Sequence, residues 1–167
     1  LLEVIDKFGI ADAIDSLPDG IKGDQKAVAE TIANNVRSKI IKEQLTDPAF
    51  YETMSRLLDE IIAARKARAI EYEEYLKRIA ELVRKVDAGK AEDTPEKLDT
   101  PGKRALYNNL AHNEVLARRI DETVKTVRPD DWRGVEPRER VIKRALFGIL
   151  QDVAEVERIF LIIKAQK

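Results

Sequence analysis

Between Gln25 and Val86 apolar residues recur at three- and four-residue steps almost without interruption. That spacing builds faces on helices and cannot line one side of a strand. From Gln25 to Leu45, Val28, Ile32, Val36 and Ile40 fall four apart and make one stripe. Ile41 and Leu45 lie off it, so the C-terminal half of this helix is expected to be buried on two sides. Thr46-Asp47-Pro48 signals a new start, with a capping side chain ahead of proline at the first helical position. The following helix carries Tyr51, Met54, Leu58, Ile61 and Ile62 and is expected to run to about Ala69. Glu71 to Val86 continues with Tyr72, Tyr75, Leu76, Ile79, Leu82 and Val83. With about two residues between them, these two helices form either an antiparallel hairpin or one kinked long helix.

Residues 1–15 read as one or two short helices, and Leu17-Pro18-Asp19-Gly20 reads as a turn, because proline fixes φ and glycine allows positive φ. Asp87–Gly102, with two glycines, two prolines and few apolar residues, is the linker and the expected mobile segment. Lys103–Ala111 and Glu114–Val127 read as helices broken near His112-Asn113. Arg128-Pro129-Asp130-Asp131 then makes a turn, and Glu136-Pro137 starts the last helix. There Ile142, Leu146, Ile149, Val153, Val156, Phe160 and Ile163 sustain three heptads. This is the pattern of one long helix lying along a partner helix, in this chain or outside it. Val135 is the one hint of extended backbone. The expectation is an all-α bundle of about seven or eight long amphipathic helices with no sheet. Its parts are a lead-in over 1–24, a long-helix half over 25–87, a linker over 88–102 and a second half over 103–167, together one domain.

At 167 residues the chain suits one domain or two small packed halves. It starts at Leu1 in mid-pattern and so reads as a piece of a longer polypeptide, a pattern that a processed N-terminus would equally give. Thirty basic side chains nearly cancel 31 acidic ones, so nucleic acid or membrane would have to be met by a local patch. There is no cysteine, which excludes disulfides and thiolate chemistry and fits a reducing cytoplasm. Apolar runs are too short for a spanning helix, and no signal-peptide pattern precedes the helices. The expected location is cytoplasmic, with no membrane partner.

Catalytic chemistry finds little purchase. His112 is the single histidine, at a helix junction beside Asn113 and Glu114. An acid–base role needs an oriented partner, and a solvent-facing or capping role does not. With one histidine and no cysteine, a zinc site would have to be built of carboxylates. Pro129-Asp130-Asp131 has the letters that open a nuclease motif, but no Glu-x-Lys on a strand follows. Adjacent carboxylates after proline are common in capping turns. Neither Gly20-Ile21-Lys22-Gly23 nor Gly102-Lys103-Arg104 completes a phosphate-wrapping Walker loop. Ile120-Asp121-Glu122 matches a helicase acidic motif by letters alone. No catalytic, metal or cofactor residue is therefore assigned.

Basic groups occur at Arg65, Lys66 and Arg68, at Arg118 and Arg119, and most densely at Arg133, Arg138, Arg140, Lys143 and Arg144. The last group is the candidate surface for double-stranded DNA, against the alternative of a solvated face laced with local salt bridges. Trp132, the single tryptophan, is open to three roles: core anchor for the last helix, hot spot for a protein partner, or exposed stacking residue.

From Lys26 the chain reads KAVAETIANNVRSKIIKEQLTDPAFYETMSRLLDEIIAARKARAIEYEEYLKRIAEL, and later come Arg104–Leu110 (RALYNNL) and Asp130–Gly134 (DDWRG). Together these resemble the C-terminal helical region of the restriction and motor (R) subunit of type I restriction-modification enzymes, over roughly residues 9–165. The resemblance implies a non-catalytic domain that supports docking onto the methyltransferase and specificity subunits. ATP and magnesium would act in upstream motor and nuclease domains of the same chain. Candidate interface residues under that reading are Asn34, Asn35 and Arg37, then Tyr107, Asn108 and Asn109, then Asp131, Trp132 and Arg133. Helical geometry sets Asn34 nearly opposite the Val28–Ile40 stripe. For the asparagines the alternative is capping and internal hydrogen bonding. A DNA-contacting module that guides duplex to the motor or nuclease is the second functional expectation.

Overall fold

The computed structural model describes residues 1–166, and among these it contains ten α-helices and no strand. The all-α expectation holds. The helix count exceeds seven or eight because a one-turn helix forms near the N-terminus and the last helix is two. Two compact units divide the chain: residues 1–44 with 51–92, and residues 45–50 with those from Asp93 onward.

The first unit begins with α1 (Leu2–Phe8) and α2 (Ile10–Asp15), separated by Gly9 at φ 92°. Pro18 makes the expected turn, but Asp19 and Gly20 then enter a four-residue helix, α3 (Asp19–Lys22). Gly20 therefore does not use the positive φ that the turn reading assigned it, and proline's fixed φ alone redirects the chain. Asp24 caps α4 (Gln25–Glu43), its carboxylate accepting from the backbone N–H groups of Lys26 and Ala27. Val28, Ile32, Val36 and Ile40 are all buried. Each contributes about 1.5–3 kcal/mol by leaving water. Ala29 and Ala33 share that face, and their small size admits α6 (Tyr72–Ala88), whose Tyr75 hydroxyl donates to the Ala29 carbonyl at 2.8 Å. Burial pushes the Tyr75 hydroxyl pKa up to about 12, against the pull of the Arg65 cation.

Ile41 and Leu45 correct the two-sided burial expected of α4, being 66% and 76% exposed. One residue beyond Ile40 the helix has turned by 100° away from the covered stripe. A 3-10 turn at Gln44–Thr46 then ends its regular course. The next helix, α5 (Pro48–Lys66), starts at Pro48 as expected but stops three residues short of Ala69. Arg68 takes a left-handed φ of 57°, while the Ala69 N–H reaches the Ala64 carbonyl and the Arg68 N–H that of Arg65. This double closure is a Schellman stop, so five residues rather than two separate α5 from α6. The pair is an antiparallel hairpin. Arg65 near the end of α5 lies 5.4 Å from the ring centre of Tyr75 near the start of α6. At the other end, the Tyr51 hydroxyl lies 3.7 Å from where a Cβ on Gly89 would stand.

Gly89, at φ 68°, caps α6 after Ala88. Within the segment read as a linker, Leu98 is buried, and Thr100 caps α7 (Pro101–Asn109), which starts two residues ahead of Lys103. Four helices make the second unit: α7, α8 (Glu114–Val127), α9 (Glu136–Leu150) and α10 (Val153–Ala165). Consecutive helices are neighbours and α10 returns to α7, the order of an antiparallel four-helix bundle. Ala105, Leu106, Ile120, Ile142, Leu146, Ile159 and Phe160 are among its core residues.

The single long final helix is corrected to a hairpin. Gln151 turns left-handed at φ 52°, and Asp152 caps α10 by accepting from the Glu155 N–H. Of the heptad positions, Ile142, Leu146, Val156, Phe160 and Ile163 are buried, whereas Val153 at the turn is 67% exposed. The partner helix that the heptads call for lies in this chain, because α9 and α10 are partners to each other. Val135 is extended, at φ −108°, and precedes α9.

Candidate functional site

The densest buried polar arrangement lies in the second unit, where the start of α5 meets the end of α7. Asp47 and Asn109 are 5% and 8% exposed. Asp47 Oδ1 accepts from Asn109 Nδ2 at 2.8 Å and from the Phe50 N–H at 3.2 Å, and its Oδ2 accepts from Asn108 Nδ2 at 2.9 Å. Asn109 also donates to the Ala105 carbonyl and accepts from the Ala49 N–H, while its own carbonyl accepts from Arg158. Beyond α10, Gln166 donates to the carbonyls of Thr46 and Ile162. Burial raises the Asp47 pKa; the donors from Asn108, Phe50 and Asn109 and the Arg104 charge pull it down without cancelling the rise. A carboxylate already met by three N–H donors clamps backbone and offers little to a substrate.

The DDWRG segment sits in the turn between α8 and α9. Trp132 is buried with the core, its ring centre 5.8 Å from that of Phe160. The Arg133 guanidinium lies 4.5 Å from the Trp132 ring centre and its Nε donates to the Lys164 carbonyl. Asp131 is exposed at φ 50°, and its carbonyl and that of Asp130 accept from Arg138. Glu139 accepts from Lys164 and from the Gly134 N–H, which hold its carboxyl below the usual range. Arg140 pairs with Glu136, and Lys143 pairs with Glu157. Arg144 is exposed and makes no ion pair among the described residues. A cleft of about 680 Å³ opens here, with Lys125, Arg128, Asp130, Asp131 and Arg133 mixing both signs along its wall.

In the first unit, Asn34 is exposed as its helical angle requires, while Asn35 donates to the Thr31 carbonyl. Arg37 pairs with Asp59 at 2.9 Å across a groove of about 580 Å³ between α4 and α5, with Ile40, Ile41 and Tyr51 among its walls. Tyr107 stacks on His112 with ring centres 4.7 Å apart, and His112 itself is exposed at φ 58°. Within the second unit the structure thus joins Asn108 to Asn109 through Asp47, and Trp132 to Arg133, while Asn34, Asn35 and Arg37 belong to the first unit.

Sequence reasoning took Asp47 only as a helix start and passed over Gln166 and Arg158. Thr46-Asp47-Pro48 carries the cap, but no local signal names partners some sixty residues away. Asp152 with Glu155 three residues on is the spacing of a capping box, and it would have exposed the break in the last helix.

Fold and clusters define an all-helical protein of two compact units, one pinned by a buried carboxylate–amide clamp. Among the described residues no three His, Asp or Glu side chains converge to hold a metal ion, and no helix is long and apolar enough to cross a membrane. No family model, no curated protein and no solved structure matches the chain.

Proposed function

We propose that this chain is a non-catalytic helical assembly domain of the kind found at the C-terminus of type I restriction R subunits. It docks onto the methyltransferase and specificity subunits while upstream domains of the parent use ATP and magnesium to translocate and cleave DNA. One observation favours assembly over DNA contact: most of the basic cluster is already engaged. Arg133, Arg138, Arg140 and Lys143 each meet a carbonyl or carboxylate of this chain. A phosphate contact would have to displace those partners, and the counterion release that drives DNA binding would be partly offset. The same reading moves the docking residues. Asn108, Asn109 and Trp132 hold the fold, which leaves Asn34, Asn35, Arg37, Tyr107, Asp131 and Arg133 as the candidate positions that are exposed or half-exposed.

The test is sedimentation of the chain with a methyltransferase–specificity complex, with duplex DNA titrated in parallel at two salt concentrations. Association without DNA supports the assembly role. Duplex binding that weakens steeply with salt, without such association, makes the DNA-contacting module the function and Arg144, with Arg118 and Arg119, the residues to mutate.

A further inference from the structure

The outer flank of the α9–α10 hairpin carries an unusual combination of apolar exposure and fixed charge. Lys143 of α9 and Glu157 of α10 pair across the hairpin at 3.1 Å, with the Lys143 ammonium 4.8 Å from the Phe160 ring centre. Residues four apart on a helix share a row. Phe147 therefore continues the row of Lys143, and Val153 and Leu161 bracket Glu157. These three are 48%, 67% and 62% exposed. Single exposed apolar residues need no explanation, but three gathered around one ion pair form a patch.

We infer that this flank is an interface between two copies of the chain, an inference that goes beyond the assembly role and stands without it. The ion pairs Lys143–Glu157 and Lys164–Glu139 fix α9 and α10 antiparallel. A twofold axis lying in the contact plane along the hairpin sets α9 of one copy against α10 of the other at the same height. Lys143 then faces the second copy's Glu157, and the reverse contact forms by symmetry. Phe147 faces the second copy's Val153, and the four helices alternate in direction as in an antiparallel bundle. The flank is complementary to itself in charge. A surface of a single sign would leave one half of the ion pair opposed.

Sedimentation equilibrium over micromolar to near-millimolar concentrations should show the mass rising from 19.0 kDa towards twice that value. Phe147→Glu and Leu161→Glu should each hold the chain at one copy with unchanged far-UV circular dichroism. Ile41→Glu, on the first unit, should leave the dimer intact. Lys143→Glu and Glu157→Lys should each lose the dimer, because like charges then face each other across the axis. Mixed in equal amounts they should recover it, although each hairpin still carries like charges within itself. That rescue separates contact between copies from repair within one. A wild-type chain that stays at 19.0 kDa throughout, a dimer indifferent to Phe147→Glu and Leu161→Glu, or a mixture that fails to associate overturns the inference.

Discussion

A carboxylate as buried as Asp47 persists only where N–H donors replace its water, and Asn108, Asn109 and Phe50 supply them. Asp47→Ala removes the carboxylate that these donors share and should cost about 1–3 kcal/mol in urea unfolding. Asp47→Asn should behave differently. It keeps an oxygen for Asn109 and Phe50, and the Asn108 amide can turn to offer its own oxygen to the new NH2 group. Because burial raises the Asp47 pKa, the folded state prefers the protonated form. The stability drawn from that preference is fully present below the unfolded carboxyl pKa and is lost as pH rises through the folded value. Asp47→Asn should therefore gain on the wild type as pH is raised from the acid side of the carboxylate range to neutrality. Denaturation midpoints across that range check it, and a constant difference between the two proteins would refute the assignment. How far the sequence carries the argument is plain at this residue. The cap and the following proline are local and readable, but the asparagines that bury the carboxylate are brought to it only by the tertiary fold.

Among the elements, the α9–α10 hairpin shows why periodicity alone misjudges length. Gln151 and Asp152 occupy two positions, and Val153 keeps the heptad spacing across them. A hydrophobic pattern registers which residues can be buried, not whether the axis reverses between them. The usual mark of a stop, glycine in the left-handed position, is missing because Gln151 takes that conformation itself. Gln151→Gly should relieve the left-handed strain and stabilise the chain by about 0.5–1 kcal/mol, after allowance for the greater freedom of glycine in the unfolded chain. Asp152→Ala should remove the cap of α10 at a cost of about 1 kcal/mol. Thermal unfolding of the two variants should move in opposite directions. If the segment were continuous helix, Gln151→Gly would instead destabilise by about 1 kcal/mol, so the sign decides. Within residues 25–86 the start of α5 was legible because Pro48 marks it, whereas its end was not, because a left-handed arginine gives no warning in the sequence.

In the whole molecule, chain order and compact units do not coincide. Residues 45–50 belong to the second unit, although the residues on either side of them belong to the first. They are held there from two places, by Asn108 and Asn109 on α7 and by Gln166 beyond α10. The entropy of closing so long a loop grows only slowly with its length, so a handful of well-made bonds is enough to hold it. A cut at the linker, the natural division in sequence, therefore does not yield a complete second unit. A fragment starting at Asp93 keeps the apolar core of α7–α10 but deprives the Asn109 side chain of both Asp47 and the Ala49 N–H. Trp132, the single tryptophan, lies in that core, so its emission reports this unit alone. The fragment should remain helical by circular dichroism yet lose its Trp132 signal at a lower urea concentration than the full chain. Gln166→Ala in the full chain should lower the same midpoint, a loss of about 0.5–1.5 kcal/mol in unfolding free energy, since the Thr46 carbonyl loses its side-chain donor. Equal midpoints for fragment and full chain would mean that residues 45–50 add nothing to the unit that holds them. A fall in both measurements would establish that the second unit is folded by two separate stretches of the chain, the earlier of them held through Thr46, Asp47 and Ala49.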